Sequence, residues 1–282
     1  MRDWQNYIML YRLFRLVSAY GVFLAALPVA CAASPPSSAT APSAIVTAQR
    51  LEISLTCPAL LHVGTERGLE GTVKGHWPGN ATVTRQPDGT ARLSLRTCPL
   101  RDAGSPAPAS VDVVTAPAMP LAIEAPQARG ITLDDRTGPV FVHTGSGLTR
   151  IGTAETLDLI ADTAGQIDIP VLPDSARIRS TGTAVITIGA ARGTALSVYL
   201  GGASSFLART GRLKALEITS ASTKDALFHG QTEVAALHVE SSGSIIVDKV
   251  SGTLATERDG PGHILVNQDQ PPTQPSRTTA QP

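Results

Sequence analysis

The stretch that decides the fold runs LDLIADTAGQIDI from Leu157, ARIRSTGTAVITI from Ala176, LSVYLGGASSFLA from Leu196 and LEITSASTKDALF from Leu216. Each copy is a short alternating strand, a polar turn and a second short strand, and the starts fall 19, 20 and 20 residues apart. Looser copies flank them: ITLDDRTGPVFV from Ile131, LHVESSGSIIV from Leu237 and LATERDGPGHILV from Leu254. A unit of about 20 residues with two strands cannot bury its apolar side alone, but copies stacked in register share one continuous core, as in a solenoid. Alternation assigns the sides. Leu157, Leu159, Ile178, Leu196, Val198, Leu216, Ile218, Leu237 and Val239 turn inward, while Asp158, Arg177, Ser197, Glu217 and His238 form an outward ladder. The expected fold is all-β, a β-solenoid (parallel β-helix-like) of about 20-residue rungs over residues 110–267. A β-sandwich, which also needs many short strands with turns every roughly 8 to 12 residues, is the alternative.

Upstream, residues 50–102 alternate at Leu51, Ile53 and Leu55, at Leu69, Gly71 and Val73, and at Ala91, Leu93 and Leu95, which predicts a small N-terminal strand-rich subdomain. Pro87-Asp88-Gly89 supplies a turn inside it, because proline presets φ and glycine accepts positive φ. A Pro-rich stretch, 103–109, separates the two parts. Residues 33–49 and 268–282 are rich in Pro, Ser, Thr, Ala and Gln. Such segments bury too little apolar surface to offset their ordering entropy, so a flexible linker and a disordered tail are expected.

Residues 1–32 read as a signal peptide. Arg2, Arg12 and Arg15 precede an apolar run from Leu16 to Ala30, and Ala30 and Ala32 form an A-x-A site before Ala33. The run is shorter than the roughly 20 residues a spanning helix needs, and translation could start at Met1 or Met9. Cys31 follows Pro28-Val29-Ala30 in a lipobox-like setting. It is either lipidated or lost with the leader. The expected location is the periplasm or cell envelope, with an outer-membrane lipoprotein as the lipidated form. In that oxidising compartment Cys57 and Cys98, each closing a strand that ends in Thr-Cys-Pro, are expected to pair, two buried free thiols being the alternative.

Basic and acidic residues number 23 each, so no electrostatic footprint for nucleic acid is present. No G-x-S-x-G elbow occurs; Gly145-Ser146-Gly147 is a turn. His62, His76, His143, His229, His238 and His263 show no ligand spacing, and no tandem calcium nonapeptide is present, so neither metal nor cofactor is expected. Asn80-Ala81-Thr82 is a glycosylation sequon, which matters only in a eukaryotic source.

Over roughly residues 50–266 the chain resembles the auto-transporter adhesin head GIN domain family of bacterial envelopes. The opening LEISLTCPALLHVGTERGLEGTVKG, the DGTARLSLR partner, PLAIEAPQARGITLDDRTGPVFV and the recurring strand-Ser/Thr-Gly-strand rungs carry that resemblance. Cys57 and Cys98 depart from the family pattern. The resemblance implies a parallel β-helix-like fold in the cell envelope with no established catalytic residues. The expected function is non-enzymatic, a repetitive β surface for structural or adhesive binding of an envelope protein or a polysaccharide. A carbohydrate-active β-helix, a polysaccharide lyase or hydrolase, is the competing expectation. Its candidates are Asp134, Asp135, Asp158, Asp162 and Asp168 with Arg136, Arg177 and Arg179, but it requires two carboxylates held around a scissile bond, with sugar-stacking aromatics. The aromatics here are Phe141, Tyr199, Phe206 and Phe228. A third expectation is an assembly scaffold that adds strands at an uncapped last rung near Ile264.

Overall fold

The computed structural model describes residues 44–98 and 108–268. The leader, Cys31, most of the 33–49 linker, nearly all of the Pro-rich junction and the tail after Gln268 lie outside the described residues. What forms is the expected solenoid, of about 8 turns with rungs of about 19 residues, with no helix among the described residues. A sandwich is excluded, because successive rungs pair parallel, strand over strand, along one continuous stack. Among the described residues no helix is long and apolar enough to cross a membrane.

The first face stacks β2 (Arg50–Leu55), β8 (Leu121–Ala125), β10 (Arg136–Thr144), β12 (Ala154–Ala161) and β14 (Ser175–Ser180). It continues through the C-terminal parts of β15 (Val185–Gly202), β17 (Gly211–Ser222) and β18 (Ala226–Val239) to β20 (Leu254–Arg258). The second face runs β3 (Ala59–Thr65), β9 (Gly130–Leu133), β11 (Leu148–Ile151) and β13 (Gln166–Leu172), then the start of β15. Above these lie β16 (Ser205–Ala208), the start of β18, β19 (Ile245–Val250) and β21 (Ile264–Gln268). A short third face closes each turn, with Arg212 and Leu213 on Gln231 and Thr232, and these on Lys249 and Val250.

Chain order and stacking order part company at the N-terminal end. β6 (Thr90–Leu95) pairs parallel with the outer side of β2, and β7 (Ala109–Thr115) with the outer side of β3. The strands of residues 50–102 therefore enter the same stack, and β2 and β3 sit between two rungs made later. Antiparallel strands finish this end: β4 (Thr72–His76) lies on β7, β1 (Ala44–Thr47) on β4, and β5 (Thr82–Arg85) on β6. The turn from β5 to β6 is the expected Pro87–Gly89 turn, with Gly89 at a φ of 83°. β1 corrects the reading of 33–49 as wholly flexible, because Ile45 and Val46 give that stretch enough strand propensity to pair with Lys74 and Val73. The Cys57–Cys98 disulfide, as expected, staples the corner after β2 to the corner after β6, with Cα atoms 5.6 Å apart.

Inward rows build the core. On the second face volumes trade between rungs: Phe206 lies under Ala226, and Phe228 over Ala208, all of them fully buried. At the corner between the first and second faces buried serines satisfy turn groups; Ser180 and Ser204 share a 2.7 Å hydrogen bond, and Ser222 Oγ donates to the Ser204 carbonyl at 2.7 Å.

Candidate functional site

An open groove of about 510 Å³ runs along the edge of the first face near the N-terminal end, lined from Arg50 to Ser197. One side of its lining is a column of small or rigid residues: Pro139, Thr156, Ser175 and Ala195 stack in successive rungs. Its wall is an outward row in which Phe141, Asp158, Arg177 and Ser197 follow one another in register. Each rung contributes one side chain to that row about 4.8 Å from the next, so the solenoid itself sets the spacing of the polar groups.

The expected outward ladder is thus real over four members, since Glu217 follows Ser197 and accepts its hydroxyl at 2.8 Å. His238 is not the fifth. Ala236 stacks on Glu217, and His238 stacks on Thr219 in the neighbouring row. The error comes from strand period: a shift of two residues keeps every side chain on its face. Asp158 and Arg177 are directly opposite across β12 and β14, both exposed. Neither side chain makes a hydrogen bond or ion pair with another described residue, which leaves a carboxylate, a guanidinium and the Phe141 ring facing solvent together. Arg179, one position on, stands over the Tyr199 ring at 5.6 Å from its centroid, a cation–π geometry.

The remaining acidic candidates do not gather here. Asp168 lies on β13 in the second face, opposite Arg150 and Thr187. Asp134 accepts from the Thr65 amide at 3.3 Å and Asp135 from the Thr153 amide at 2.6 Å, so both tie turns. Asp162 accepts from the Thr181 hydroxyl at 2.9 Å. Arg136, counted with the surface arginines, is 1% exposed. Its guanidinium donates to Thr115 Oγ1 at 2.7 Å and to the Met119 carbonyl at 2.5 Å, plugging the corner where the chain returns from β7 to β8. Desolvation lowers its pKa to about 10 against the pull of Asp134. Among the described residues no two of these Asp carboxylates converge on the groove.

Sequence reading missed a second pattern, four histidines that each meet a carboxylate of a neighbouring rung, two of them, His62 and His143, bracketed from both sides. His143 meets Glu124 at 2.9 Å and Asp162 at 3.2 Å. His62 lies 3.8 Å from Asp112 and 3.5 Å from Asp134, and His229 lies 3.1 Å from Asp248. His238 meets Asp259 at 2.9 Å and Glu240 at 3.4 Å. The hydrogen bond to Asp259, helped by the charges of Glu257, Glu240 and Asp259 against some desolvation, holds His238 above the usual imidazole range. The signal was in the sequence: His143 stands 19 residues from Glu124, one rung. His238, Glu257 and Asp259 bring donor atoms within 4.8 Å of one another, the one such group found among the described residues.

No protein-family model matches the chain, and no curated protein matches it. Solved structures do. A "putative adhesin" from Parabacteroides distasonis superposes with a TM-score of 0.51 over 80% of this chain and 96% of its own, at 13% identity. A "putative adhesin" from Bacteroides fragilis, 17% identical, covers the same shares at a TM-score of 0.45. A "putative lipid binding protein" from Parabacteroides distasonis, 10% identical, also gives 0.45 over those shares. The first likeness is one of fold alone: a solenoid of this build occurs in a protein described as a "putative adhesin". The head GIN name gains no support from family models.

Proposed function

We propose that this is an exported, non-enzymatic protein of the cell envelope that binds an extended envelope polysaccharide along the groove of its first face. The observation that carries the reading is the row Phe141, Asp158, Arg177 in register, with the charged pair left without partners beside an aromatic ring. Sugars are held by such sets, an apolar ring face against a C–H surface and paired polar groups on hydroxyls. An open groove lined by successive rungs suits a polymer better than a small molecule. The absence of a converging carboxylate pair around it supports binding without cleavage. The signal-peptide-like residues 1–32 support export, to the periplasm or to an outer-membrane lipoprotein anchored through Cys31; labelling with a fatty-acid analogue in wild type and Cys31→Ser separates the two.

The test is calorimetric titration with purified envelope polysaccharides, with reducing-end release measured in parallel. Binding that Phe141→Ala and Arg177→Ala each weaken about tenfold, without release of reducing ends, is expected; about 1.4 kcal/mol per contact corresponds to that factor. Binding unaffected by both substitutions sinks the groove, and catalytic release of reducing or unsaturated ends sinks the non-enzymatic reading.

A further inference from the structure

The two ends of the solenoid are finished differently. The N-terminal end is covered by β4 and β5, antiparallel to the rung strands β7 and β6, and by β1, antiparallel to β4. At the other end β20 pairs only with β18, and β21 only with β19, among the described residues. A terminal rung without a cap leaves backbone groups and core side chains open to another chain.

The two strands of that rung differ in what they offer. On the first face the inward positions above Leu237 and Val239 are Thr256 and Arg258, and a cation at a core position resists burial under a further strand. β21 carries no such guard. Ile264 and Val266 sit inward above Ile245 and Val247. Leu265, 55% exposed on the other side, ends an outward apolar row through Leu207, Leu227 and Ile246. Residues 269–282 contain no Val, Ile, Leu, Met, Phe, Tyr or Trp.

We infer that the protein forms a two-fold dimer by antiparallel pairing of β21 with β21 of a second copy. The parity of the ladder fits this occupant. The Ile245 amide donates to the His263 carbonyl at 2.8 Å. His263 and Leu265 therefore turn their backbone groups toward β19, while Ile264 and Val266 turn theirs to the free edge. A two-fold axis at Leu265 sets Ile264 opposite Val266 of the other copy, each pair exchanging both N–H···O=C bonds. It sets Leu265 against its own counterpart in the close, non-hydrogen-bonded position, with Cα atoms about 4.5 Å apart. Inward residues then meet inward residues, and the apolar row continues across the junction. The capped opposite end blocks head-to-tail addition, so the assembly closes at two copies.

Light scattering across a concentration series tests the stoichiometry, and a cysteine tests the register. Wild type should reach twice the monomer mass. In a Cys31→Ser background, oxidised Leu265→Cys should cross-link to itself, since the predicted spacing lies within disulfide reach, while Leu227→Cys, two rungs inside, stays free. Leu265→Lys should halve the mass and keep its circular dichroism spectrum. A wild type that remains monomeric at every concentration overturns the inference, and so does a dimer in which Leu265→Cys never cross-links or Leu265→Lys leaves the mass unchanged.

Discussion

Gly211 and Phe228 offer a quantitative test of how tightly the rungs are packed. Gly211 lies on the third face, and a Cβ placed on it would stand 2.3 Å from Phe228 Cζ and 2.6 Å from Cε2, while the Phe228 ring is fully buried. Phe228→Ala removes a core aromatic and should cost about 3–5 kcal/mol. Gly211→Ala forces a methyl into the ring edge and should cost about 1–3 kcal/mol. In the double variant the new methyl enters space that the ring has vacated. The second cost should then vanish, giving a coupling of about 1–3 kcal/mol, and the shorter unfolded-state entropy of alanine adds about 0.4–1 kcal/mol in favour of the folded form. Urea unfolding of the four proteins gives the cycle, provided the slopes agree and Trp77 fluorescence coincides with far-ultraviolet dichroism, since repeat arrays can unfold piecemeal. Costs that add to within about 0.5 kcal/mol would refute this packing.

Two further outcomes follow from the covalent and ionic ties. Replacing Cys57 and Cys98 together by serine opens a link spanning 41 residues and should lower stability by about 4 kcal/mol on the chain-entropy account; a urea midpoint unchanged from the oxidised wild type contradicts it. The pKa of His238 is raised in the folded state, so its stabilising contribution is complete below the unfolded value of about 6.5 and fades as pH rises through the folded one. An NMR titration should place its midpoint above that of a free imidazole, with Asp259→Asn bringing it back; equal midpoints in the two proteins would remove Asp259 as the cause.

The repeat period, the all-strand fold and the disulfide were legible because each rests on local pattern: alternation, turn residues and two like-set cysteines. Register was less so. The copy beginning at Ile131 straddles the second face and then the first, whereas those from Leu157 onward run first face to second, which explains its offset of 26 residues. That offset hid Phe141, which shares the outward row of Asp158. Leu237 was aligned with Leu216, but Ala235 stacks there, because two alternate inward positions look alike to a period of two. Arg136 gave no local hint of burial, since a charged residue beside a turn ordinarily faces water and only the return of β7 encloses it. The interleaving of β6 and β7 left no trace either, as parallel partners far apart in sequence share no local signature.

That interleaving sets an order in time. Synthesis delivers β2 and β3 first, yet Arg50 must wait for Thr90, 40 residues on, and Leu51 for Leu121, 70 residues on, before either side is paired. The earliest rung is thus the one that cannot settle alone, and its closure carries the loop entropy and the slow search of non-local contacts. Once residue 133 is present, each new rung finds its neighbour one turn behind. The N-terminal part, up to residue 133, should condense as a block, late relative to its synthesis, and the remainder should zip onto it at the pace the chain emerges.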